Sequence, residues 1–105
     1  MTRMTRPDRL AVYLGDERIG TLFDTSPLAF EYSQSWLERG ESTPIGGIGL
    51  APGRSDSPDV EACFENLLPE GEVRRLIEKQ KKASTPFSLL LEIGGDTAGG
   101  LVLLP

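Results

Sequence analysis

Cys63-Phe64-Glu65-Asn66-Leu67-Leu68-Pro69-Glu70-Gly71 joins the end of one amphipathic helix to the start of another. Phe64, Leu67 and Leu68 stand at i, i+3 and i+4, so they form one apolar stripe on a helix. Pro69 stops that helix, because it has no N–H and disfavours helical geometry at Leu68. Gly71 can take a backbone conformation that other residues avoid. The stretch therefore predicts a sharp corner that carries Asn66, Glu70 and Glu72 at a surface.

The helices on either side follow from their own punctuation. Upstream, Ser57-Pro58-Asp59 is a helix start, with Ser57 as N-cap and Pro58 at the first helical position. The helix it opens carries Val60, Phe64, Leu67 and Leu68. Downstream, a second helix runs roughly from Glu72 to Lys82, with Val73, Leu76 and Ile77 expected to face inward. Thr85-Pro86 repeats the cap-plus-proline signal for a third helix, whose Phe87, Leu90 and Leu91 again match the helical spacing. Gly94-Gly95 ends it.

The first third of the chain is β-rich. Leu-Ala-Val-Tyr-Leu at 10–14 and Arg-Ile-Gly-Thr-Leu-Phe at 18–23 flank Gly15-Asp16, which reads as a hairpin. Residues 28–32, Leu-Ala-Phe-Glu-Tyr, alternate and predict a third, half-buried antiparallel strand. Trp36, the only tryptophan, sits in a single helical turn closed by Gly40 and is expected to anchor the core. From Glu41 to Ser57 the chain is a long Gly/Ser/Pro-rich loop with room for one edge strand, its part 53–57 reading as mobile. Within it Pro44-Ile-Gly-Gly-Ile-Gly-Leu50 is glycine-rich and expected to be loose. Residues 101–104, Leu-Val-Leu-Leu, are apolar throughout and are expected to form a closing strand, central in the sheet. The fold class is α+β: a small antiparallel sheet, made of the N-terminal hairpin, a third strand and the closing C-terminal strand, packed with about three helices. Residues 1–8 are expected to be a disordered tail, and 9–105 a single domain.

Composition narrows the function. The 105 residues carry a net charge of −5, which argues against direct nucleic-acid binding, since phosphate contacts need clustered Lys and Arg. The one basic cluster, Arg74, Arg75, Lys79, Lys81 and Lys82, lies late in a helix that begins with Glu70 and Glu72. That order suits the helix dipole, and the cluster reads as a solvated face. No apolar run approaches the roughly 20 residues of a membrane-spanning helix. No secretory signal is visible, and the single cysteine fits a cytoplasmic location.

Most catalytic chemistry is excluded. With no histidine, neither Ser-His-Asp nor Cys-His systems can be built, and the commonest transition-metal ligand is missing. Cys63 reads as a small semi-buried side chain. Asp56, Asp59, Glu61 and Glu65 read as the solvated start of a helix, not as a general acid/base pair. Gly47-Ile48-Gly49 begins a dinucleotide fingerprint, but Pro52 occupies the third glycine position. The run Gly94–Gly100 follows a helix and precedes a strand, the reverse of a phosphate loop, and has no Walker lysine. No metal and no cofactor is expected, and the chain is not expected to be an enzyme.

The order of several blocks carries a resemblance. These are Ile19-Gly-Thr-Leu22, Phe30-Glu-Tyr32 with Trp36-Leu37, Phe64-Glu-Asn-Leu-Leu-Pro-Glu-Gly71, Pro86-Phe-Ser-Leu-Leu90, and Ile93-Gly-Gly-Asp-Thr-Ala-Gly-Gly-Leu-Val-Leu-Leu-Pro105. From Leu10 to Pro105 the chain resembles the first N-terminal subdomain of the HipA family of toxin–antitoxin serine/threonine kinases. In that family the catalytic residues follow this subdomain, in agreement with their absence here. The resemblance extends to HipS-like proteins of tripartite HipBST-type systems, in which the subdomain is a separate antitoxin. It implies binding and neutralisation of a HipT-like serine/threonine kinase, with a HipB-like DNA-binding protein as a third member of the complex. The residues expected to meet a partner are Asn66, Leu68, Pro69, Glu70, Gly71 and Glu72 at the corner, with Gly95, Asp96 and Gly99 in the turn before the last strand. Some HipS-like sequences carry an aromatic after the corner glycine; this chain has Glu72, so the resemblance carries binding but not an inserted aromatic. The alternative is an N-terminal structural lobe, a fragment or split piece, of an active HipA-type kinase.

Overall fold

Gly15, at φ +63°, turns strand β1 (Arg9–Leu14) back into β2 (Glu17–Phe23), as the sequence predicts for the hairpin. A computed structural model describes residues 8–39, 43–81, 85–93 and 100–105. Residues 1–7 of the expected tail and Gly40 lie outside the described residues, while the Asp8 carbonyl accepts from the Asp24 N–H at 2.9 Å. The remaining elements are β3 (Ala29–Tyr32), α1 (Gln34–Leu37), β4 (Arg54–Ser55), α2 (Pro58–Glu65), α3 (Gly71–Lys81), α4 (Pro86–Ile93) and β5 (Leu101–Leu104). All pairings are antiparallel and the sheet order is β4-β3-β2-β1-β5. The α+β reading holds.

Alternation decides which face is covered. Leu10, Val12, Leu22, Phe30, Tyr32 and Leu103 share one face and are buried under α2 and α4, whose Val60, Phe64, Phe87 and Leu90 are themselves fully buried. Glycine at position 20 is required by this packing: a Cβ there would run into the Phe30 ring and the Glu31 carbonyl. The Phe30 ring lies edge-on to Tyr32, 4.9 Å between centroids, and tilted against Phe64 at 5.6 Å. On the opposite face Phe23 is covered by Arg54, whose guanidinium carbon stands 3.6 Å from the ring centroid.

Trp36 is buried, its N–H capped by the Ser33 hydroxyl and its indole N–H donating to the Thr43 carbonyl. Ser57 occupies the N-cap of α2 with extended backbone but makes no side-chain cap bond. Thr85 does cap α4: its hydroxyl accepts from the Ser88 N–H at 3.1 Å, and the Ser88 hydroxyl accepts from the Thr85 N–H at 2.9 Å.

Three expectations are corrected. First, β5 lies at the sheet edge, paired to β1 alone among the described strands. Its apolar run reflects alternation, Leu101 and Leu103 turning into the core while Leu104 stays 44% exposed. Second, the glycine-rich loop is held. Ile45 and Ile48 are buried, and the Tyr32 hydroxyl donates to the Ile48 carbonyl at 2.6 Å and accepts from the Ile45 N–H at 3.0 Å. The part read as mobile contains β4, which pairs Ser55 with Phe30 and Arg54 with Glu31. Third, Val73 and Leu76 do not face inward but are 57% and 54% exposed, and only Ile77 packs against the core.

Replacing Tyr32 by Phe leaves the Ile45 N–H and the Ile48 carbonyl without their hydroxyl partner. It should cost about 1–3 kcal/mol in urea unfolding, with faster amide exchange confined to Ile45 and its neighbours. Unchanged exchange there would show that the loop is held by its isoleucines alone.

Candidate functional site

The corner predicted from sequence is built by three consecutive devices. Phe64, fully buried against Phe30, fixes the last turn of α2 to the sheet. Asn66 then caps the helix, its N–H donating to the Ala62 carbonyl, and the next two N–H groups tighten onto Phe64 and Glu65 at 3.2 and 3.0 Å. The helix thus ends at Glu65, earlier than Pro69 alone requires, because this tightened turn has already left α-helical pairing. Gly71, at φ +66°, finally turns the chain into α3.

Of the residues expected to meet a partner, Asn66, Glu70, Gly71 and Glu72 are exposed, and Pro69 is half-buried. Leu68 is 5% exposed and belongs to the core beneath the corner, so it supports the surface without being part of it. Gly95, Asp96 and Gly99 lie outside the described residues.

Sequence reading missed the residue that ties the corner together. Arg74 reaches back across it, Nη1 standing 2.8 Å from Glu65 Oε1 and Nε 3.8 Å from Glu78 Oε2. The Arg74 side chain is only 24% exposed, so the contact is partly shielded from solvent. It brings α3 against the end of α2 with Arg74, Ile77 and Glu78 on the packed side, and leaves Val73 and Leu76 on the other. The available signal was charge: six of the eleven α3 residues (Glu72, Arg74, Arg75, Glu78, Lys79, Lys81) are charged, too many for the helix to hide on one solvent face.

Among the described residues no group of His, Cys, Asp or Glu could hold a metal ion, and no buried side-chain polar atom lacks a partner. Cys63 is half-buried beside Gly46, and burial raises its thiol pKa. Burial also raises the Tyr32 phenol pKa, against the opposing hydrogen bond from Ile45. No helix among the described residues is long and apolar enough to cross a membrane.

Comparison with known proteins gives a consistent picture. The family model of the HipA N-terminal domain matches residues 10–104. A putative kinase, Y4mE, from Sinorhizobium fredii is 37% identical over 74% of this chain and 19% of its own length. The serine/threonine-protein kinase toxin HipA of Shewanella oneidensis is 34% identical over 91% of this chain and 23% of its own. Among solved structures, a chain in the Shewanella oneidensis complex of HipA, HipB and operator DNA superposes with a TM-score of 0.72 and 29% identity. That match covers 91% of this chain and 23% of the other. The chain thus spans about a fifth of the length of the relatives it matches.

Gly71→Ala adds a side chain that meets no neighbour within 4 Å, so its cost is backbone strain at positive φ alone. It should lower stability by about 1–2 kcal/mol in a thermal melt, and an unchanged melt would mean that the corner relaxes freely. At pH 8 the raised pKa leaves Cys63 less ionised than an unstructured thiol. Iodoacetamide should modify it more slowly than the urea-unfolded chain, with the rate–pH midpoint displaced upward; equal rates would contradict the buried environment.

Proposed function

Because this chain belongs to the HipA N-terminal domain family, we propose that it is a non-catalytic antitoxin that binds and neutralises a HipT- or HipA-like serine/threonine kinase in the cytoplasm. The observation that carries this reading is the corner at 66–72. It offers exposed Asn66, Glu70 and Glu72 on a base fixed by buried Phe64 and Leu68 and by the Arg74–Glu65 contact. A surface already ordered before it meets a partner loses little conformational freedom on binding. The relatives are named as kinases and carry this domain as about a fifth of their length, so its shape is suited to lie beside a kinase body. Neutralisation then requires that the chain bind an inactive arrangement of the kinase more tightly than the active one, for example by restraining closure over ATP. A HipB-like DNA-binding protein would complete the complex and provide any DNA contact, since the net charge of −5 does not suit direct binding.

A second reading is favoured by the same coverage: the chain serves as the N-terminal structural lobe of an active HipA-type kinase. One experiment separates the two. A HipA-type kinase toxin is expressed with and without this chain supplied from a second plasmid, and growth is followed. The antitoxin reading expects rescue, lost on Glu70→Arg with Glu72→Arg while the thermal melt of the variant is unchanged. Toxicity that appears only when the chain is present would overturn it in favour of the structural lobe.

A further inference from the structure

Helix α3 differs from the two helices beside it in what holds it. Helices α2 and α4 each send fully buried side chains into the core, Val60 and Phe64 from one, Phe87 and Leu90 from the other. From Gly71 to Gln80 no residue is buried; Arg74, Ile77 and Glu78 are half-buried and the others are exposed. These three stand at i, i+3 and i+4, one line along the helix, and Ile77 is its single apolar member. Eleven residues are too few for a helix to be stable alone in water. The helix therefore persists only while this line stays against the domain.

Charge fastens much of that line. Arg74 Nη1 stands 2.8 Å from Glu65 Oε1, and its Nε stands 3.8 Å from Glu78 Oε2 one turn on. Only the first contact joins α3 to another element. Glu65 is the last residue of α2, where the helix dipole disfavours a carboxylate and α2 has no basic residue of its own. Arg74 supplies that missing cation. Glu65 remains 42% exposed, so salt screens the pair, whereas it does not weaken the burial of Ile77. At the entry to α3, a Cβ on Gly71 would meet nothing within 4 Å, so the turn has open space around it.

We propose that α3 is a strap latched by Arg74. It opens as one unit about Gly71 while the sheet, α2 and α4 stay folded, and ionic strength sets how often it opens. Opening withdraws Ile77 from the core cluster and uncovers the flank of α4 beside which α3 packs. This is a property of the free domain and holds whether or not the chain binds a kinase.

The test is hydrogen–deuterium exchange of the full chain, read by mass spectrometry where a thermal melt shows the domain folded. Amides 75–80 should exchange at least about 100-fold faster than those of α4, yet about tenfold more slowly than in the urea-unfolded chain. Raising NaCl from roughly 0.1 M to 1 M shortens the screening length from about 10 Å to about 3 Å, and should speed exchange in α3 about threefold without changing α4. Arg74→Met keeps helix propensity and the aliphatic stem but removes the charge. It should speed exchange in α3 about fivefold at low salt and abolish the salt response. If α3 and α4 exchange together, α3 opens only with the whole domain and the proposal is overturned. It is overturned equally if α3 exchanges as fast as the unfolded chain, because nothing is then latched. It is overturned as well if either salt or Arg74→Met leaves the rate in α3 unmoved. The salt series uses the unaltered chain, so it decides the matter even where the methionine variant melts lower.

Discussion

The Phe30 ring resting on Gly20 is the contact on which the other elements depend. Because residue 20 has no side chain, the ring can lie down on β2 and offer its remaining surface to Tyr32 and Phe64. That one placement joins three parts of the molecule. Phe64 fixes the end of α2, and so the height and direction of the corner that follows it. Tyr32, held edge-on, is aimed so that its hydroxyl closes the loop through Ile45 and Ile48. Each fully buried phenylalanine contributes about 1.5–3 kcal/mol from its area alone, and ring–ring geometry adds about 0.5–1.5 kcal/mol per pair. These exceed what a surface ion pair contributes.

Helix α3 lies at the other end of this scale. Its ties to the domain are its packing beside α4, with Ile77 against the core, the Arg74 contacts and the turn at Gly71. A partly exposed ion pair is worth on the order of 1 kcal/mol or less once solvent screening is counted. The helix therefore owes its position to geometry more than to burial: Gly71 sets the direction of entry, and Arg74 sets the rotation about the axis. Both act locally, at the junction between α2 and α3.

What was legible in the sequence divides along the same line. The hairpin, the third strand, the helix starts at Pro58 and Pro86 and the corner itself could be read, because each is determined by local chemistry: a turn glycine, a proline, a strict alternation. Two readings failed where local pattern and tertiary placement part. Residues 101–104 are apolar at every position, which does not distinguish a central strand from an edge strand with one face buried. Val73, Leu76 and Ile77 have helical spacing, but spacing gives a stripe and not the direction it faces; the partner of Arg74 lies nine residues upstream at Glu65, beyond any periodicity window. The glycine-rich loop was misread for a related reason. Its anchor is a hydroxyl on β3, thirteen and sixteen residues away in sequence.

The same geometry bears on how such a domain could act on a kinase under the proposed reading. A ligand that binds two states of its target equally shifts nothing, however tightly it binds. Neutralisation therefore depends less on the number of contacts than on their rigidity relative to one another, because only a shape that cannot adapt will favour one arrangement of the partner. The corner satisfies that requirement through Phe64 and Leu68, which are buried in a core that a partner cannot easily disturb.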